Sequence, residues 1–179
     1  KNNRFINGTD GLDMDEAYVE ISDNYFSGCD MTTEYTTGKV LNNLINNGEV
    51  WTLSDMEVCN NICFNNSNGY GLEVGYNQFC ANNISINNEY DIWSATNLYE
   101  NCIFILNEEL TQYYVNGNPI FRNCITDFPI EDPLIDGGGN IIVDSLQAQS
   151  IFEDIQNGDF HLVTGSIAID AGFDTLSYY

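Results

Sequence analysis

VLNNLI at Val40–Ile45 and VCNNIC at Val58–Cys63 are two copies of one pattern: an asparagine with an apolar residue three positions before it and another two positions after it. The pattern recurs along the chain. Asn3, Asn24, Asn43, Asn61, Asn82, Asn101 and Asn123 form a register about 20 residues apart, the spacing of a repeat architecture. Two positions on stand Phe5, Phe26, Ile45, Cys63, Ile84, Ile103 and Ile125, and three positions before stand Ile21, Val40, Val58, Phe79, Leu98 and Ile120. A partial copy, NIIV at Asn140–Val143, extends the series.

A unit this short, with two apolar strands flanking Asn, cannot bury its own hydrophobic face and must stack on copies of itself. Asn tolerates a left-handed backbone and carries an amide that donates and accepts at once, so stacked Asn side chains can bond from rung to rung. The LxxLxLxxN pattern of a leucine-rich horseshoe is absent, and helical repeats avoid this density of Asn, Gly and β-branched residues. The expected fold is an all-β right-handed parallel β-helix of about seven or eight rungs, with an Asn ladder and a C-terminal cap. Eight rungs at parallel-strand spacing make a rod on the order of 40 Å long. Leu41, Ile62, Tyr99 and Phe121 fall on outward positions of this register, so that flank is expected to be covered by loops or by a ligand.

The 179 residues are 43% hydrophobic and suffice for one folded domain. Against 27 acidic residues stand only Lys1, Arg4, Lys39 and Arg122, for a formal net charge of −23. That balance excludes nucleic acid and disfavours an anionic membrane surface, because both need clustered cations. No apolar run is long enough to span a bilayer. The three prolines, Pro119, Pro129 and Pro133, mark where rungs give way to a different tail, so residues 1–127 are read as rungs and 128–179 as the last rung and capping segment of the same domain. In this register Cys59 stacks on Cys80 and Cys102 on Cys124, as disulfides or as adjacent free thiols, while Cys63 faces the core.

The tail reads DSLQAQSIFEDIQNGDFHLVTGSIAIDAG from Asp144 to Gly172. It resembles the closing segment of secreted bacterial parallel β-helix proteins of the choice-of-anchor type, NGDFHLxxGSPAIDAG, with Ile167 where proline is usual. The resemblance implies an extracellular or cell-surface bacterial protein and no particular activity. Asp159, His161, Ser166 and Asp170 within it are read as structural: Phe160, Leu162, Ile167 and Ile169 alternate as a strand over the final rung, and Asp170 with Gly172 suits a turn.

Asp10, Asp13, Asp15 and Glu16 lie within one short acidic stretch beside Gly11, the oxygen-rich composition that suits calcium, though without the spacing of an EF-hand loop. TDGLD at Thr9–Asp13 and SGCD at Ser27–Asp30 resemble the NTDG and GDD motifs of polygalacturonase-type β-helices. That resemblance makes Asp10 and Asp30 candidate catalytic carboxylates, with no GHG or RIK motif following. Lyase chemistry needs a base and cations together. Lys39 and Arg122, about four rungs apart, do not provide that. Trp51, Trp93, Tyr70, Tyr76, Tyr90, Tyr113 and Tyr114 are candidates for stacking on sugar rings. Asn7, Asn65 and Asn83 head glycosylation sequons, which matter only in a eukaryotic secretory pathway. The expected function is a non-catalytic structural or adhesive module of a secreted or surface protein. The alternatives are a carbohydrate-binding module and a fragment of a polysaccharide hydrolase. A line of aromatics on one face favours binding, and carboxylates converging in a groove favour hydrolysis.

Overall fold

The computed structural model describes residues 1–173 apart from Ser54, Asn68, Asn77, Thr96 and 106–113. The chain winds as a right-handed parallel β-solenoid of about seven turns, the hand favoured for parallel crossovers. Each turn contributes one short strand to each of three parallel sheets. Sheet A has eight strands, from Arg4–Ile6 to Ile141–Ile142; sheet B has six, from Asp10–Asp15 to Tyr114–Val115; sheet C has seven, from Tyr18–Ser22 to Ile135–Asp136. Among the described residues the one α-helix, Ser145–Gln149, lies beyond the last turn.

Strands this short need sharp corners, and the corners explain the asparagines. Between sheets C and A the chain turns through a left-handed residue at Asn2, Asp23, Asn42, Asn60, Asn82, Asn101 and Asn123, all with φ between 51° and 59°. Asn and Asp adopt this region more readily than other non-glycine residues. The next residue points inward. Asn24, Asn43, Asn61 and Asn83 are buried there, and each amide oxygen accepts the backbone N–H of the previous ladder residue: Asn3 to Asn24 at 3.0 Å, Asn24 to Asn43 at 3.1 Å, Asn43 to Asn61 at 3.0 Å and Asn61 to Asn83 at 2.9 Å. A working corner is therefore a dipeptide, with an exposed hinge residue followed by a buried ladder residue.

The ladder departs from the register read in the sequence after Asn61. Asn82, Asn101 and Asn123 occupy the hinge; the ladder continues through Asn83 and then Cys102 and Cys124. The Cys102 sulfur lies 3.4 Å from the Glu100 carbonyl and 3.7 Å from that of Cys80, and the Cys124 sulfur 3.4 Å from Arg122 and 3.5 Å from Tyr99. These are the same two carbonyl positions, two residues back and one turn back, that the Asn61 amide reaches through Cys59 and Val40. Asn140 resumes the series by accepting the Cys124 N–H at 2.8 Å.

A one-residue shift reverses which side chains face the core. In sheet C the inward column is Ile21, Val40, Val58, Cys80, Tyr99 and Phe121; Phe79, Leu98 and Ile120 face out. Tyr99 and Phe121 are thus fully buried and stacked, with ring centroids 5.2 Å apart. In sheet A the inward column is Phe5, Phe26, Ile45, Cys63, Ser85, Phe104 and Thr126. Ile84, Ile103 and Ile125 join Leu44 and Ile62 on the outside.

That outer face of sheet A is what the C-terminal segment covers. Asp144 caps the helix with a reciprocal bond pair to Gln147, and the chain then forms a hairpin of Phe152–Asp154 with Asp159–Leu162. Val143, Ala148, Ile151 and Phe152 bury a second core with Phe64, Ile86, Ile105 and Ile125, joined by Ile62, Ile84, Ile103 and Phe160. The Phe160 ring meets Phe64 edge-on at 5.0 Å. The Asn101 side chain then holds Phe173, accepting its N–H and donating to its carbonyl, both at 2.8 Å. The cap lies along a flank of the solenoid and not across its end: Leu162, Ile167 and Ile169 are exposed, and 167–170 is a turn. The bore itself is closed by Phe128, Ile130 and Leu134 packing beneath Phe121.

Candidate functional site

Of the three parallel sheets of the solenoid, sheet B is the one whose strands carry no Lys or Arg. Arg4 lies in sheet A, Lys39 and Arg122 in sheet C, and Lys1 pairs with Glu20. Lys39 is 2.6 Å from Glu57, Arg122 is 3.3 Å from Glu100, and the Arg4 guanidinium rests over Tyr25. Lys39 and Arg122 stand four strands apart in sheet C, roughly 19 Å at parallel spacing. The outward side chains of sheet B meet no positive charge among these groups.

Two outward columns run along sheet B. The first begins with Asp10 and Asp30, which are register partners. The Asp30 carboxylate accepts the Glu49 backbone N–H at 3.0 Å, and the Glu49 carboxylate accepts that of Tyr70. Tyr70 pairs in turn with Tyr90, their rings 4.9 Å apart. The second column is Asp13, Thr32, Trp51, Glu73 and Trp93, fixed residue by residue in the register. Glu73 sits between two tryptophans, each one strand away, so the indoles are roughly 10 Å apart along the solenoid axis. Trp51, Glu73 and Trp93 are all half-buried, and the Trp51 indole N–H has no hydrogen-bond partner among the described residues.

Stacking like charges on a low-dielectric surface shapes the acids. Burial pushes the Glu73 carboxyl up to about 7, helped by the charge of Glu49. Glu49 is raised by burial and by Asp30, and Asp30 by burial and, after the offsetting Glu49 N–H, by Asp10. The face thus combines aromatic platforms with carboxyls that hold their protons unusually well.

The other candidate residues are dispersed. Asp10, Asp13 and Asp15 are spread along one extended strand and Glu16 turns the following corner, so they do not converge as a calcium loop would require. Among the described residues no group of three His, Cys, Asp or Glu side chains could hold a metal ion. Cys102 and Cys124 share the ladder column, but Cys80 faces Val58 in the bore while Cys59 lies beside Ala81. All six cysteines are buried thiols; burial pushes the Cys59 thiol up to about 11 and raises those of Cys80 and Cys102 well above the ordinary thiol range. Asp159 bonds His161 on the exposed hairpin, Ser166 caps a local turn and Asp170 takes a left-handed conformation. Asn83 is buried in the ladder, unavailable for modification in the folded chain. Tyr76 is exposed at a corner and bonds Asn116. Tyr113 lies outside the described residues, and Tyr114 continues the Trp93 register in its backbone.

Sequence reasoning named both tryptophans but missed Glu73 and Glu49. The signal was the shared spacing of Trp51, Glu73 and Trp93, about one turn each, a second periodic set beside the asparagines. No family model, curated protein or solved structure matches the chain. No helix among the described residues is long and apolar enough to cross a membrane.

Proposed function

We propose that this chain is a non-catalytic, glycan-binding β-helical module of a secreted or cell-surface protein, with sheet B as the binding face. The observation that carries this function is the Trp51–Glu73–Trp93 column. Indole rings repeated along a rigid sheet present flat apolar surfaces to successive sugar rings, while carboxyls between them accept hydroxyl hydrogen bonds. The parallel register holds the rings at fixed intervals with little entropy to lose on binding. The tail resembling surface-protein segments supports the extracellular setting. The excess of acid argues against polyanionic glycans.

Calorimetry against a panel of neutral, acidic and basic polysaccharides tests this. Binding weakened about tenfold by Trp51→Ala and by Trp93→Ala supports the function. Binding to no member of the panel, or binding indifferent to both substitutions, overturns it. A second activity is favoured by one observation, the side-by-side Asp10 and Asp30 with Glu49 next in line, because glycoside hydrolysis requires paired carboxylates. Release of reducing ends from a bound glycan, lost in Asp30→Asn, identifies hydrolysis.

A further inference from the structure

We infer that the glycan taken by sheet B is a polysaccharide bearing free, protonated amines, with an ammonium seated at Glu73 between Trp51 and Trp93. This rests on the proposed glycan function and narrows it to a ligand class.

Charge complementarity is the first support. The four Lys and Arg side chains are all placed off sheet B, and each has an acidic or aromatic partner of its own. The outward residues of sheet B include Asp10, Asp13, Asp30, Glu49 and Glu73. A neutral glycan leaves these acids uncompensated; a cationic one relieves them. Geometry is the second. An ammonium placed over or between indole faces is attracted by the ring quadrupole, and a carboxylate at the same site completes its coordination. Glu73 is one strand from Trp51 and one from Trp93, so both rings and the carboxylate are within reach of one bound cation. The strand spacing also approximates the advance of one pyranose, so ring stacking and amine capture can alternate along the same chain. The state of Glu73 is the third. Its carboxyl is held near 7 by burial and by Glu49, and a cation seated against it stabilises the ionised form. Binding about one pH unit below that value, where Glu73 still carries its proton and the sugar amines are charged, is therefore expected to release a proton.

The test uses the whole chain at physiological salt, with a glucosamine hexamer and its fully N-acetylated counterpart titrated in two buffers of different ionisation enthalpy. The expected result is tighter binding of the amine form by roughly tenfold, with proton release. Glu73→Gln should abolish the proton release and bring the two oligomers to equal affinity. Trp51→Ala and Trp93→Ala should weaken both. Glu131→Gln with Glu153→Gln, which removes two exposed charges off sheet B, should change the preference less than about twofold; a loss equal to that of Glu73→Gln means diffuse attraction and overturns the inference. Equal binding of the two oligomers overturns the inference but leaves glycan binding standing, whereas binding of neither removes both.

Discussion

Asn82→Gly and Asn83→Ala, adjacent substitutions in one dipeptide, should differ sharply in effect. Asn83 is buried; its oxygen accepts the Asn61 backbone N–H at 2.9 Å and the Asn61 amide at 3.1 Å, and its own amide donates to the Val58 carbonyl at 2.7 Å. Truncation to Ala leaves the Asn61 N–H without an acceptor and takes a donor from Val58. The Asn61 amide keeps the carbonyls of Val40 and Cys59. Two stranded buried groups at about 1–3 kcal/mol each give a loss of about 2–6 kcal/mol. For a chain of this size that corresponds to a melting temperature lower by roughly 4–24 °C. Asn82, by contrast, is exposed with φ at 55°, a conformation glycine adopts freely, so Asn82→Gly should cost less than about 1 kcal/mol. Urea denaturation followed by circular dichroism measures both. If Asn82→Gly is as damaging as Asn83→Ala, the division into hinge and ladder residues is wrong.

Three further outcomes follow from the same structure. Cys102→Asn places an amide at a ladder position where a thiol now lies 4.0 Å from the Asn83 amide, and should raise stability by about 1 kcal/mol on denaturant titration. Burial holds the folded Glu73 carboxyl at about 7 against its ordinary 4.5, so the folded state binds the extra proton; its contribution is present below about 4.5 and is lost as pH rises through 7. Wild type should therefore lose on the order of 1 kcal/mol more than Glu73→Gln between those limits, the shift being discounted for solvent screening, as melts in matched buffers will register. Phe160→Ala removes the ring that meets Phe64 and Phe152, costing about 2 kcal/mol at this half-buried site, and should expose the segment after Asp144 to limited proteolysis while the solenoid stays resistant.

The sequence by itself determined the architecture. Asn between apolar residues at intervals of about 20 admits no compact solution except stacking, and the β-branched, Asn-rich composition selects parallel strands. It could not fix the register beyond Asn61. Asn82-Asn83 offers an Asn to either role, and at Asn101-Cys102 and Asn123-Cys124 the only Asn is the hinge, so composition points to the wrong member of each pair. Side chains alternate with period two, and that single step exchanged inward and outward residues over half the rod, hiding the burial of Tyr99 and Phe121 and the outward face of Ile84, Ile103 and Ile125. The folding of the tail along sheet A was equally invisible, because covering a flank and covering an end ask for the same apolar alternation. Trp51 and Trp93 were legible as residues, but Glu73 and the column the three form were not. They lie on separate turns whose loops differ in length, and only the hydrogen-bonded register of sheet B brings them onto one line.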